Sequence, residues 1–345
     1  MLRLTMLRLS VLIGGVLCGA LSLAPPAAAQ STIEAIKKRG ELQCGVSGRS
    51  QGFSFVNASK EWSGLDVDFC RALAAAVLGD AKKVGFVAVS TTDRLDKLRA
   101  GAFDVLASNI TLTLQRDAGL GLQVGVVNYY DGQAFAVTRK SRFSTLTALS
   151  GHAICMVAGT THIGNTTDWF QARGLKFTPV ILDNKDLMYE AFFAGRCAAV
   201  TEDSSALAAA IVGRANAADF AQLPEVISRE PLGPYLRRGD DSWLAVVRWT
   251  QYAMFEAEEI AVFQSNVEEA LKSKNPAIQR LLGVLPGNGK ALGLDEKWAY
   301  NIIKQVGNYA ESYERNVGMA SPLKFQRGIN ALWNKGGLMY PLPLR

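Results

Sequence analysis

Residues 104–116, DVLASNITLTLQR, set Ser108, Asn109, Thr111 and Thr113 just ahead of a single arginine, Arg116. Hydroxyls and backbone N–H groups at a strand end supply hydrogen bonds, and a planar guanidinium grips both oxygens of a carboxylate. Gly159-Thr160-Thr161 offers a second polar loop, and Glu202-Asp203 ends an apolar run with carboxylates suited to an ammonium. A carboxylate held on one side and an ammonium on the other is the chemistry of amino-acid recognition.

Each of these residues also has a plainer role open to it. Arg116 can pair with Asp117 at the surface, as most arginines do. Asp203 can cap a helix over 204–211, and Thr160 and Thr161 can cap the helix after their loop. The hydroxyl-rich approach to Arg116 favours ligand contact, and the same balance holds for Asp203, Thr160 and Thr161. Phe53 either covers the aliphatic stem of a ligand or packs as a core aromatic. His162, beside the second loop, is expected at the surface.

The elements that must position these groups follow from hydropathy period and helix punctuation. Residues 41–46, 84–89 and 103–107 read as strands, while 66–78 and 94–100 have helical spacing, with acids in the first turn of 66–78. Ser31 is the expected N-cap of a short helix that ends in basic residues. A second unit repeats the alternation: strands at 153–157, 177–182 and 197–201, and helices at 166–172 and 186–194. Alternating strands and helices predict parallel sheets with crossover helices, with polar loops leaving the strand ends as the binding surface. Segments 131–138 and 228–236 border the second unit and predict a double crossing between two lobes. Helices are expected at 243–257, 260–273, 298–305 and 308–316, with the tail aromatics packed on the first lobe.

Composition sets the compartment. Arg3 and Arg8, the apolar run 9–23 and the small residues Ala27-Ala28-Ala29 form an export signal with cleavage expected after Ala29. Cys18 follows Leu17 rather than a small residue, which argues against a lipid anchor, and nothing downstream has the length of a membrane span. Removing residues 1–29 takes two arginines and no acids, lowering the formal charge from +6 to +4. The bases are scattered among acids, so no nucleic-acid partner is expected. About 300 remaining residues suit two lobes better than one. Cys44, Cys70, Cys155 and Cys197 then remain, and in an oxidising compartment they allow three connectivities. Pairing within each lobe favours Cys155–Cys197 and Cys44–Cys70. With no C-x-x-C and only His152 and His162, neither a metal nor another cofactor is expected.

With the loops in place, the chain resembles the periplasmic solute-binding proteins of polar amino-acid ABC importers, family 3, and within them the general L-amino-acid-binding branch. The resemblance runs through GLDVDFCRALAAAVLGDAKKV, SNITLTLQRD, YYDGQAFAV, AGTT, AGRCAAV, ISREPLGP, GDDSWLAVVRWTQYAM, WAYNIIKQVGNYAESYERNVG and INALWNKGGLMY. It implies an α/β type II periplasmic-binding-protein fold of two lobes joined by two hinge strands: residues 30–132 with 234–345, and residues 133–233. It further implies a monomer that passes L-amino acids to an inner-membrane permease with its ATPase subunits. By position it assigns Arg116 to the ligand α-carboxylate and Asp203 to the α-ammonium. Thr111 and Thr161 become hydroxyl donors, and Asn109 a position whose backbone faces the ligand. The sequence departs from the pattern at Ser47, where many relatives carry an acid, and at Leu112, where general binders often carry an aromatic. Periplasmic dehydratases can share such a fold, and Glu202 is the one residue suited to acid or base work, so a dehydratase-like enzyme is the alternative reading.

Overall fold

The computed structural model describes residues 31–345, which hold together as one compact unit; the expected export signal lies outside the described residues. Two five-stranded sheets share one topology. In the first, Leu42–Val46 lies between Val84–Ala88 and Val105–Leu106, all parallel. Tyr235–Arg237 and Leu122–Val124 then extend the edge in antiparallel sense. In the second, Ala153–Val157 lies between Thr178–Leu182 and Ala199–Asp203, again parallel, followed by antiparallel Gln133–Thr138 and Phe220–Gln222. A short antiparallel pair, Tyr129–Asp131 with Glu230–Leu232, carries both chain passages between the sheets.

The parallel strands are buried, as crossover topology requires. Leu65–Leu78 buries most of its length, and its run of alanines lets neighbouring helices approach closely. It packs with Asp241–Glu259 and Trp298–Gln305 in a core that also takes in Tyr309, Tyr313 and Val317 from the tail. Asp68, buried in that helix, ties the tail down by accepting from Ser312 Oγ and Arg315 Nε, both at 2.8 Å. The expected placement of the tail aromatics on the first sheet's side therefore holds. The second sheet has its own apolar cluster on each face. Both expected disulfides are formed, Cys44–Cys70 joining a strand to its covering helix and Cys155–Cys197 stapling the second sheet.

Some local expectations fail. Ser31 makes no side-chain cap; Asp240, distant in sequence, accepts from Thr32 N at 2.7 Å instead. The helix expected over 260–273 is broken after Glu259, because Ala261 turns left-handed (φ 56°) and only Val267–Ala270 resumes the helix. Tertiary partners hold that break: Asn308 Nδ2 donates to the Val262 carbonyl at 2.9 Å, and the Glu311 carboxylate accepts from Gln264 N at 3.1 Å. Among the described residues no helix is long and apolar enough to cross a membrane.

Candidate functional site

The polar loops leave the ends of the parallel strands and meet between the two sheets. Val105–Leu106 ends one residue before Ala107, and the chain then turns at Asn109, whose left-handed φ of 50° an asparagine tolerates well. That turn sends Asn109 N to the Asp66 carboxylate at 2.9 Å and Asn109 Nδ2 across to Asp203 Oδ2 at 3.1 Å. Asp203 stands at the end of Ala199–Asp203, in the other sheet. It occupies the N-cap position of Ser204–Val212 without making a side-chain cap. Its other oxygen accepts from His162 Nε2 at 3.0 Å.

His162 thus contradicts the expectation of a surface residue: it is 3% exposed and faces Asp203. The helix begins at His162, four residues before the expected start at Thr166, and this turns the imidazole inward. Burial alone would lower its pKa, but the hydrogen bond and charge of Asp203, with Glu202 and Glu230 beyond, raise it above the ordinary value. Asp203 responds in kind: burial would raise it, yet His162, Lys185 and Asn109 hold it below the usual carboxylate range. Beneath them Asp131, on the crossing strand, is pushed up to about 7 by burial and by the Asp203 charge.

Arg116 is 8% exposed and does not pair with Asp117, which bonds Arg238 instead. Its Nη1 donates to the Thr111 carbonyl at 2.9 Å, and Nη2 lies 3.5 Å from the Gly159 carbonyl of the opposite loop. Among the described residues Arg116 makes no ion pair. Burial lowers its pKa against the pull of Tyr235, Glu230 and Asp203.

Glu230, unremarked in the sequence, is 2% exposed and gathers the hydroxyls around Arg116. Its Oε2 accepts from Thr111 Oγ1 at 2.5 Å and Thr161 Oγ1 at 3.2 Å. Its Oε1 accepts from Ser228 Oγ at 2.6 Å and Asn165 Nδ2 at 2.8 Å. One crossing-strand carboxylate therefore binds both sheets. A hydroxyl has one proton to give, so Thr111 and Thr161 each spend theirs on Glu230. Thr160 points elsewhere, donating to the Val157 carbonyl at 2.9 Å.

Glu202 lies buried beside Asp203, paired with Lys185 and accepting from the Tyr189 hydroxyl. Phe53 is a core aromatic set edge-on to Tyr129 at 4.9 Å, and it also lines a cavity of about 250 Å³ with Arg49, Lys185, Tyr189, Glu202 and Arg214. A neighbouring cavity of about 280 Å³ is lined by Ser47, Ser90 and Thr91 from one sheet and Asn184–Asp186 from the other. Lys185 lines both cavities, and its partner Glu202, next to Asp203 in the chain, lines the smaller one. The loops also touch: a Cβ on Gly159 (φ 76°) would lie 2.5 Å from the Thr91 carbonyl oxygen. Among the described residues no cluster of metal-ligating side chains occurs.

Sequence reasoning missed His162, Glu230 and a second buried arginine, Arg94.

Two sheets of identical topology, a double crossing and a buried polar cluster between strand ends define a two-lobed binding protein of the type II periplasmic fold. The chain belongs to the bacterial extracellular solute-binding proteins, family 3, whose model matches residues 42–315. It is 44% identical to the general L-amino acid-binding periplasmic protein AapJ of Rhizobium johnstonii, over 94% of this chain and 96% of the relative. It is 42% identical to the glutamate/glutamine/aspartate/asparagine-binding protein BztA of Rhodobacter capsulatus, over the same shares. Among solved structures, an ABC transporter periplasmic binding protein from Brucella ovis with glutathione bound aligns with a TM-score of 0.90 and 46% identity, covering 92% of this chain and all of that one.

Proposed function

We propose that the protein captures L-amino acids in the periplasm between two lobes, residues 30–132 with 234–345 and residues 133–233, and delivers them to an inner-membrane ABC permease driven by its ATPase subunits. It acts as a monomer and as a binder rather than an enzyme. The observation that carries this reading is the pairing, within one buried cluster, of an arginine that makes no ion pair with a carboxylate already surrounded by donors. Arg116 supplies a fork for the α-carboxylate and Asp203 an acceptor for the α-ammonium. Asn109 bonds Asp203, and Thr111 and Thr161 bond Glu230 beside Arg116, so all three serve as ligand contacts in this reading, with Glu202 and Phe53 bordering from the cavity they share and Thr160 supporting the loop.

Ligand entry has a definite cost at this site. A carboxylate that recruits Thr111 or Thr161 draws the proton away from Glu230, which keeps Ser228 and Asn165 as donors. The ammonium likewise shares Asp203 with His162. Contacts from both lobes are what allow a ligand to favour the closed form. The names of the relatives support amino acids as the ligand class, and the glutathione-bound neighbour supports a cleft able to take more than a single small residue. Competition assays with a labelled L-amino acid test the reading: L-amino acids should compete, while D-forms and α-amides should not. Mass spectrometry of the recovered ligand separates binder from dehydratase, since a binder returns it unchanged.

A further inference from the structure

Asp203 already holds a basic side chain. Both of its oxygens are taken, Oδ1 by His162 Nε2 at 3.0 Å and Oδ2 by Asn109 Nδ2 at 3.1 Å. Among the described residues His162 is the only basic side chain within ion-pair distance of it. A ligand ammonium bound at Asp203 therefore meets a carboxylate that already supports an imidazole.

The fold keeps that imidazole in place. The chain at His162 is pinned, its carbonyl accepting from Gln133 Nε2 at 3.1 Å and Thr166 Oγ1 at 2.7 Å, and both partners are fully buried. The two ring nitrogens are unequal. Nε2–H can donate to Asp203 in either protonation state, whereas Nδ1 is enclosed and has no partner. A proton on Nδ1 is thus supported by surrounding charge alone.

That charge comes from several elements. Burial lowers the pKa of His162, but Asp203 and Glu202 from the strand Ala199–Asp203, with Glu230 from the crossing strand, raise it above the ordinary value. Glu202 is paired with Lys185, and Glu230 accepts from Thr111, Thr161, Asn165 and Ser228. Asp131, on the other crossing strand, bonds Ser205, two residues beyond Asp203. Arg116 reaches the Gly159 carbonyl in the loop that leads to His162. The first turn of the helix that His162 opens carries no acid. Asp203 is the one carboxylate in direct contact with the ring.

We infer that His162 is the resident cation of the ammonium site, and that an entering α-ammonium displaces the Nδ1 proton rather than the ring: the proton leaves to solvent while Nε2–H stays on Asp203. The ligand's own carboxylate is directed to Arg116 and is not available to the imidazolium. Ligand and proton then compete for the support of one carboxylate, and the coupling is reciprocal, each lowering the affinity for the other by the same factor. The free protein holds more protons than the complex, so affinity rises with pH until His162 is neutral in the free protein and is level above that. The inference rests on the amino-acid-binding reading above.

Calorimetry with L-alanine and L-glutamine, whose side chains do not titrate, tests this between about pH 6 and 8. In phosphate and Tris buffers, which differ in ionisation enthalpy, wild type should release more than about half a proton per ligand bound, and its affinity should be about tenfold lower at the acid end than at the alkaline end. His162→Gln keeps a neutral donor for Asp203 and should show no proton release and a flat pH profile. Asp131 also titrates in this range, at about 7, so Asp131→Asn is the control and should keep the wild-type release. Proton NMR of wild type gives an independent reading, because the chain has only His152 and His162. Ligand should lower the titration midpoint of His162 and leave that of exposed His152 unchanged; this reading carries the test if the glutamine variant fails to melt cooperatively. A wild type that releases no proton, a midpoint of His162 that ligand does not move, release that persists in His162→Gln, or release lost in Asp131→Asn would overturn the inference. A wild type that binds neither amino acid overturns the underlying amino-acid reading as well, and shows itself before any variant is compared.

Discussion

Replacing Arg116 with alanine tests the anchoring chemistry most directly. In the free protein the guanidinium is nearly buried and holds the Thr111 carbonyl at 2.9 Å. That carbonyl keeps a second donor, the Tyr235 hydroxyl at 3.2 Å, so truncation leaves no orphaned acceptor. Removing a buried charge that makes no ion pair also relieves a desolvation cost, so the change in fold stability should be small, about 1 kcal/mol or less. Ligand binding should respond quite differently. Truncating one partner of a buried, hydrogen-bonded charge pair costs about 2–5 kcal/mol, which corresponds to a loss of about 30-fold to several thousandfold in Kd. Arg116→Lys should recover only part of this, because an ammonium cannot match both carboxylate oxygens at once. Calorimetry with a tight-binding L-amino acid reads the affinity, and a thermal melt of the free protein reads the fold. An alanine variant that melts like wild type and binds within about threefold of it would refute Arg116 as the carboxylate anchor.

Three further outcomes are expected. Asp131 keeps its proton up to about pH 7 in the folded protein and loses it near 3.8 when unfolded, so the folded state binds more protons between those values and stability falls as pH rises through them. The raised pKa of His162 acts in the same sense at higher pH: its contribution is full below 6.5 and is lost as pH rises through the folded value. Melting temperature should thus decline across this window, and Asp131→Asn should flatten the lower part of the curve; an unchanged slope contradicts the assignment. Gly159→Ala should weaken ligand binding by about tenfold or more, since the added Cβ collides with the Thr91 carbonyl and holds the loops apart. Gly151→Ala is the control, with a similar φ of 82° and no atom within 4 Å of the new Cβ, and equal affinities for the two variants would discount the loop contact. Replacing Cys155 and Cys197 with alanine should cost about 4 kcal/mol by the chain-entropy relation for their separation of 42 residues, read as a lower denaturation midpoint; a midpoint equal to wild type would show that the staple contributes nothing.

The local pattern of the chain was enough to establish the alternation of strands and helices and the polar loops at strand ends, while for the cysteines it favoured one of three pairings. Those features depend on hydropathy period and turn chemistry, which neighbouring residues determine among themselves. It also singled out Arg116 and Asp203, because charged groups at the ends of apolar runs are legible as interruptions of a pattern. The same logic failed where long-range partners override local preference. Residues 260–273 have helical spacing, yet Asn308 and Glu311 hold the chain in a break. His162 looks like a loop residue in sequence, and only the approach of Asp203, 41 residues away, gives the buried imidazole a carboxylate partner that raises its pKa. Glu230 and Arg94 carry no local mark at all. Their environments are built by contacts such as Thr111 to Glu230, across 119 residues, and Asn109 to Asp203, across 94. Which charges lose water, which donors remain open and which single proton a threonine has already spent depend on how the two sheets face each other, and that was decided only by the tertiary structure.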